Sequence, residues 1–159
     1  MKRTLMTTIL ATFLLLAASL VASSHAPSLK AASINLSGGE GSCSLHHLVG
    51  RWGYTYTGTI VGLGPAASVG SFTEDTAGNI NGSQTRSFNG DVENETLTGT
   101  VSVNPDCTGA ATISVYLNGA LERTSVLNTV YVGDGNAFRA IFTTPGAVIT
   151  ADGRKMNPE

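Results

Sequence analysis

The amino-acid sequence predicts an all-β fold, an antiparallel up-and-down β-barrel of about eight strands, over residues 50–159. Three observations predict it. From Arg51 onward, apolar residues alternate with Thr, Ser and Asn; turn-forming residues recur at the spacing of short sequential strands; and no stretch keeps a helical period. Sequential strands joined by tight turns form a meander, and closing a meander into a barrel removes its exposed edges.

The first half of the predicted barrel contains four strands. The first, about residues 51–61, places Trp52, Tyr54 and Tyr56 on one face and threonines on the other, because successive side chains of a strand point to opposite sides. In the third strand, Gln84 and Arg86 share a face with apolar residues. We expect the second to fourth strands at about residues 67–74, 79–88 and 95–103, with turns at Gly62-Leu63-Gly64-Pro65, Thr76-Ala77-Gly78-Asn79 and Asn89-Gly90-Asp91.

The second half follows the turn at residues 105–109. A fifth strand ends at Leu117, and Asn118-Gly119 is a pair typical of a two-residue β-hairpin turn. We expect the last three strands at about residues 120–132, 137–143 and 147–150, with turns at Gly133-Asp134-Gly135-Asn136 and Thr144-Pro145-Gly146.

The N-terminus is typical of a secretory signal peptide. Lys2 and Arg3 precede an apolar stretch at residues 5–22, and small residues follow it. The alternative, a membrane-spanning anchor, is disfavoured by the Thr and Ser residues inside the stretch. We therefore divide the chain into a signal peptide (1–26), a flexible leader (27–49) and a barrel domain (50–159), and we expect a secreted or periplasmic protein.

The charge composition disfavours nucleic acid as a partner. Removal of Lys2 and Arg3 with the signal peptide leaves seven of the 9 basic residues against 11 acidic ones. A phosphate backbone would be repelled by this balance. We expect no membrane attachment after signal cleavage, and the oligomeric state stays open.

The triplet Gly50-Arg51-Trp52 opens the first strand, and together with the meander it resembles the calycin barrels, which comprise lipocalins and avidin-like proteins. In lipocalins this Trp packs at the closed end of the barrel beside an Arg from a late strand. The resemblance implies that Trp52 and Arg139 form such a structural pair. The C-terminal helix of the lipocalin pattern is missing, so an avidin-like barrel, or one of the allene-oxide-cyclase and dirigent class, fits better.

Counting strands assigns each turn to one end of the barrel, because successive connections of an up-and-down barrel alternate between the ends. Cys43, just before the first strand, and Cys107, in the fourth connection, fall at the same end. As the only two cysteines of an exported chain, they are expected to form a disulfide rather than free thiols, a metal pair or a redox couple. By the same count, Arg139 falls at the Trp52 end.

The candidate ligand-binding residues are polar side chains that the strand faces place inside the barrel: Tyr54, Tyr56, Gln84 and Arg86. A buried Arg or Gln must find a partner, so one interpretation is internal hydrogen bonding between the tyrosine hydroxyls and Arg86. The other is an apolar cavity with a few polar anchors, open at the end that carries the Gly62 and Asn89 loops. A slip of one residue in strand register would invert these faces.

No residue cluster predicts catalysis or a metal site. His46 and His47 are adjacent, so in an extended chain they point to opposite sides and are poorly placed to share a metal. Asp91, Glu93 and Glu95 have a spacing that could hold Ca²⁺, but alternating acidic residues in a loop more often keep a surface soluble. We expect no catalytic residue, metal or cofactor, because the motifs of hydrolases and nucleotide-binding enzymes are absent.

These observations favour a secreted barrel that binds a small, partly apolar ligand. A small secreted isomerase or cyclase is an alternative, and so is a structural or interaction barrel with a filled interior. A cavity lined by Tyr54, Tyr56 and Arg86 would favour either of the first two functions, and a filled interior would remove both.

Overall fold

The structure of the chain, a computed structural model, describes residues 43–157. Its elements are α1 (Leu45–Leu48), β1 (Gly50–Ile60), β2 (Gly64–Glu74), β3 (Asn79–Phe88), β4 (Asp91–Val103), β5 (Thr108–Leu117), β6 (Ala120–Val132), β7 (Ala137–Phe142) and β8 (Ala147–Lys155). The strands pair antiparallel in sequence order, and β1 also pairs with β8, which closes an eight-stranded barrel. The predicted fold class is confirmed. Within the described range, no helix is long and apolar enough to cross a bilayer.

Three strands are longer than the sequence predicted. β2 begins at Gly64, which still pairs with Ile60 across a tight turn. β4 begins at Asp91, which pairs with Phe88, and β8 continues to Lys155. The added residues include Gly, Pro and charged residues, which favour loops by themselves, but pairing with a neighbouring strand outweighs this local preference.

Gly153 on β8 lets a large ring enter the interior. Phe138 on the neighbouring strand lies so close that a Cβ on residue 153 would meet its ring at 2.3 Å. The Phe138 ring in turn packs against Trp52, with 5.6 Å between the ring centroids, and Trp52 is completely buried. Because Gly153 has no side chain, β8 leaves room for an aromatic cluster around Trp52.

One end of the barrel is closed by residues 43–49, here named the plug. Leu45 of α1 lies against the β2–β3 turn, 3.2 Å from where a Cβ on Gly78 would stand. Leu48 lies against the β6–β7 turn, 3.5 Å from where a Cβ on Gly135 would stand. Leu48 is completely buried. Gly78 has φ +79°, a conformation that suits glycine, so this turn can both reverse the chain and receive Leu45.

Two hydrogen bonds fix the plug to the first and last strands. Trp52 Nε1 on β1 donates to the Leu48 carbonyl at 2.9 Å. Lys155 Nζ on β8 donates to the His47 carbonyl. The indole donor is thus satisfied although its ring is buried, which a buried Trp requires.

The predicted disulfide between Cys43 and Cys107 is confirmed, and it joins the plug to the β4–β5 turn. With this bond the plug contacts each of the three turns at its end of the barrel. The predicted signal peptide (1–26) and residues 27–42 of the predicted leader lie outside the described residues. Residues 43–49, the remainder of that leader, carry α1 and its packing.

The predicted pairing of Trp52 with Arg139 is wrong. Arg139 lies on the outer face of β7, where its side chain is 81% exposed and its Nε lies 3.7 Å from Asp152 Oδ1. Because the preceding Phe138 points into the barrel, strand alternation directs Arg139 outward. The cation beside Trp52 is Lys155, whose Nζ lies 5.7 Å from the ring centroid.

Replacing both cysteines, Cys43→Ser with Cys107→Ser, should lower the free energy of unfolding by up to about 4 kcal/mol. The bond spans a sequence separation of 64 residues, and opening it restores the entropy of that loop to the unfolded chain. Urea unfolding followed by circular dichroism measures the change. An unchanged unfolding midpoint, with two titratable thiols in the unreduced wild-type protein, would show that the bond does not form in solution.

Candidate functional site

The barrel interior contains a cavity of about 320 Å³. This volume is in the lower part of the range of small-molecule sites, about 300–1,000 Å³. Tyr54, Tyr56 and Arg86 line the cavity, so the alternative of a filled interior does not hold. Most of the remaining wall is aromatic or aliphatic, with side chains that include Phe72, Phe88, Leu97, Ile113, Phe138 and Phe142.

The cavity opens at the end opposite the plug. Leu63 in the β1–β2 turn and Pro145 in the β7–β8 turn line the cavity and are exposed to solvent. The rim around this opening carries exposed aliphatic side chains on or beside each of its four turns: Val61, Leu63, Val92, Leu121 and Val148. An apolar molecule that approaches this end therefore meets apolar surface before it enters the barrel.

Glu95 on β4 is the centre of an ion network inside the barrel, and it is only 2% exposed. Its Oε1 accepts hydrogen bonds from Arg86 Nε at 2.6 Å and from Arg123 Nη1 at 2.7 Å. Its Oε2 accepts from Arg123 Nη2 at 2.7 Å and from Gln84 Nε2 at 2.5 Å. Two donors on each oxygen, three of the four from guanidinium groups, offset the cost of burying the carboxylate.

The network continues from Gln84 to the first two strands. Gln84 Oε1 accepts hydrogen bonds from Tyr54 Oη at 2.5 Å and from Ser68 Oγ at 3.1 Å. Tyr56 instead packs against Phe142, with 5.6 Å between the ring centroids. Gln84 therefore links the hydroxyls of β1 and β2 to the buried carboxylate of β4.

A β-bulge brings Glu122 and Arg123 to the same wall of the cavity. The register between β5 and β6 shifts between Val115 and Tyr116, so β6 carries one extra residue there. Both side chains line the cavity, and Glu122 Oε2 accepts a hydrogen bond from Arg123 Nη1 at 2.9 Å. Regular alternation would have placed one of these two residues outside.

Arg86 connects the network to the open end. Its Nη2 donates to Glu93 Oε2 at 2.5 Å and lies 3.4 Å from Glu122 Oε1. Glu93 and Glu122 have side chains 36% and 37% exposed, whereas the Arg86 side chain is 9% exposed. The charge is thus buried at Glu95 and becomes accessible to solvent toward the mouth.

The environment keeps Glu95 ionised. Burial would raise the pKa of its carboxyl, but hydrogen bonds from Arg123, Gln84 and Arg86 outweigh burial and lower that pKa to about 2. The pKa of Tyr54 is raised, chiefly by burial and also by its negatively charged surroundings, so its hydroxyl stays protonated and can donate to Gln84.

Glu74 is a second buried carboxyl, at the plugged end of the cavity. It is 4% exposed and lines the cavity, and its Oε1 has no hydrogen-bond partner among the described residues. Burial raises the pKa of Glu74 to about 7, with Lys155 opposing the shift and Asp75 adding to it. Burial and the nearby Glu74 together raise the pKa of Tyr131 to about 12. Glu74 can therefore change protonation near neutral pH.

All four predicted ligand-binding residues face the interior, and Tyr54, Gln84 and Arg86 belong to one hydrogen-bonded network. Internal hydrogen bonding and a cavity coexist, but the predicted bond between the tyrosine hydroxyls and Arg86 is wrong: Tyr54 donates to Gln84, and Arg86 donates to Glu95 and Glu93. Their role in binding a ligand stays a prediction.

Sequence reasoning missed Glu95, which it interpreted as part of a surface acidic loop. The signal that could have found it is strand parity, because Glu95 lies two residues before the inward-facing Leu97. Arg123 could have been found in the same way from Leu127 on β6. Glu122 could not, because alternation carries no information about a bulge.

Three carboxylates of the network, on Glu93, Glu95 and Glu122, offer oxygens within 4.8 Å of one another. These oxygens already accept hydrogen bonds from Arg86 and Arg123. The guanidinium charges occupy the position that a cation would need, so the cluster has the chemistry of an ion network.

No protein-family model matches the chain, and no curated protein matches it. Among solved structures, the chain is similar to the one titled "Structure of a redesigned beta barrel, mFAP1, bound to DFHBI". The two share 17% sequence identity with a TM-score of 0.51, over 70% of this chain and 98% of that chain. This similarity shows the barrel fold.

Glu95→Gln should lower the free energy of unfolding by about 3 kcal/mol or more, because it leaves the buried Arg86 and the partly buried Arg123 without their shared carboxylate. Glu93→Gln is the matched control, since it removes the same charge from Arg86 at a side chain that is 36% exposed. Its cost should stay below about 1 kcal/mol. Urea unfolding of both variants gives the comparison, and equal losses would mean that Glu95 does not organise the network.

Glu74→Gln should change how stability depends on pH. The raised pKa means that the folded protein holds the Glu74 proton more tightly than the unfolded chain. Wild-type stability should therefore fall as pH rises from about 4.5 to 7, by on the order of 3 kcal/mol, relative to the variant. Thermal unfolding of both proteins between about pH 5 and 8 measures this difference. Parallel pH profiles would contradict the raised pKa.

Proposed function

We propose that the protein binds a small, largely apolar molecule inside its barrel, outside the cytoplasm. The observation that carries this proposal is the cavity of about 320 Å³, with an aromatic and aliphatic wall and a few polar groups at fixed positions. Small-molecule sites typically combine these features. The plug leaves the opposite end as the route of entry.

The polar groups on the wall are suited to binding because they are already held in place. Arg86 is fixed by Glu95 and Glu93, and Tyr54 is fixed by Gln84. Side chains that are ordered before a ligand arrives lose little entropy when it binds. The network thus supports recognition of a ligand with one or two polar groups near the mouth.

The proposed location rests on the N-terminal signal-peptide pattern. The Cys43–Cys107 disulfide supports it, because disulfides persist in oxidising compartments. We also propose a calycin-type or dirigent-type ancestry on the basis of Gly50-Arg51-Trp52 and the strand meander. A barrel of similar fold is bound to DFHBI, and we extend ligand binding to this chain on the strength of its own cavity.

A second candidate function is isomerisation or cyclisation of the bound molecule. One observation favours it: Glu74, with a pKa near neutrality, faces the same cavity and could serve as a general acid or base. Chemical conversion of the recovered ligand by fresh protein, lost in Glu74→Gln, would favour this function over binding alone.

Native mass spectrometry of protein recovered from its own host tests the proposal directly. We expect a mass above that of the denatured chain, from a small molecule that solvent extraction releases. Protein that carries no such mass, and that also fails to bind apolar two-ring probes such as 1-methylnaphthalene, would overturn it.

Ala66→Leu should weaken 1-methylnaphthalene binding by at least about tenfold, or about 1.4 kcal/mol. Ala66 lines the cavity and is 4% exposed, so the larger side chain takes space from the probe. Ala67→Leu makes the same change on the adjacent, outward-facing residue and should leave the affinity unchanged. Isothermal titration calorimetry compares them, and equal affinities for the two variants would mean that the probe binds elsewhere.

A further inference from the structure

The closed end of the cavity has a buried carboxyl with an oxygen that no described residue bonds. Glu74 is 4% exposed and lines the cavity, and its Oε1 lacks a hydrogen-bond partner within residues 43–157. A buried acceptor without a partner destabilises the folded state, because it has lost its hydrogen bonds to water and gained none in exchange. A molecule in the cavity that donates a hydrogen bond to Glu74 would recover this free energy.

The surroundings of Glu74 favour a positively charged donor. Four aromatic rings meet at this end of the barrel: Trp52, Phe72, Tyr131 and Phe138. Their centroids lie 5.6 to 6.4 Å apart in successive pairs. Aromatic faces attract cations, and the Trp52 ring already has Lys155 Nζ at 5.7 Å.

The protein supplies no direct counter-ion for Glu74 in the described part of the chain. Lys155 on β8 is near enough to lower the pKa of Glu74, but its ammonium group donates to the His47 carbonyl in the plug. Asp75 beside Glu74 is acidic and raises the pKa of Glu74 further, and Tyr131 on β6, whose own pKa Glu74 helps to raise, stays protonated and uncharged.

The ion network near the mouth has no spare positive charge either. Its three carboxylates, on Glu93, Glu95 and Glu122, meet two guanidiniums, on Arg86 and Arg123. The interior therefore has an excess of negative charge at both ends of the cavity when these groups are ionised, and this excess attracts a cation.

We propose that Glu74 anchors the leading end of the ligand and that the ligand is an apolar molecule with a basic nitrogen. This inference rests on the proposed function and names its ligand class. The apolar body lies along the aromatic wall, and the protonated nitrogen donates to the Glu74 carboxylate. Binding is tighter once Glu74 has lost its proton, so the affinity for such an amine rises with pH through about pH 7.

Three probes of one shape separate the contributions: 1-naphthylmethylamine, 1-naphthylmethanol and 1-methylnaphthalene. The first has a charged donor, the second a neutral donor and the third neither. Isothermal titration calorimetry at about pH 6 and pH 8, on wild type, Glu74→Gln and Glu93→Gln, gives all the affinities needed. Glu93→Gln removes one negative charge at the mouth. It shows how much of the amine affinity comes from the overall negative charge of the interior rather than from Glu74 itself.

The wild type should bind the amine about tenfold more tightly than the alcohol at pH 8, and about tenfold more tightly at pH 8 than at pH 6. Glu74→Gln should lose both differences, keep its affinity for 1-methylnaphthalene within about twofold and unfold cooperatively. Glu93→Gln should retain most of the preference for the amine.

Equal affinities of the wild type for amine and alcohol would overturn the inference, and so would an equal loss in Glu93→Gln and Glu74→Gln. In both cases binding of 1-methylnaphthalene would leave the proposed function standing. Failure of all three probes to bind wild-type protein would instead count against the cavity as a ligand site.

Discussion

The pairing of β1 with β8 is the constraint on which the rest of the structure depends. Once the sheet is closed, no strand edge remains, and every strand residue faces either solvent or a narrow interior. An eight-stranded barrel is just wide enough for side chains to fill or for one small ligand. Here the inner positions include the small buried residues Ala66 and Ala151, which line the cavity and whose size leaves room for it.

Closure also explains why charged residues can lie inside. Glu95 on β4 reaches Arg86 on β3 and Arg123 on β6 because the curvature of the wall turns these strands toward one another. A single member of this set would be costly to bury, but together each buried charge has a bonded partner. The interior is therefore part apolar and part ionic, and the ionic part also links strands that are not neighbours in the sheet.

The fold could be predicted almost entirely from the sequence, since alternation and turns are local patterns that closure preserves. Parity also placed Tyr54, Gln84 and Arg86 correctly inside. The same rule contradicts the expectation for Arg139, because Phe138 beside it lines the interior. The lipocalin resemblance suggested an Arg beside Trp52, but here Lys155, from the last strand, has that position. The inward position of Glu122 could not be predicted, because a bulge depends on the partner strand rather than on the local sequence.

The two carboxyls inside this barrel show that nearby hydrogen-bond donors determine whether a buried acid is ionised. Glu95 and Glu74 are both nearly inaccessible, yet hydrogen bonds lower the pKa of one to about 2 and burial raises that of the other to about 7. The difference is the set of donors: four at Glu95 and, within the part of the chain that the structure describes, none at Glu74 Oε1. The mouth thus carries a fixed charge whose partners are internal, while the closed end keeps a titratable group with one oxygen that no residue of the described range 43–157 bonds.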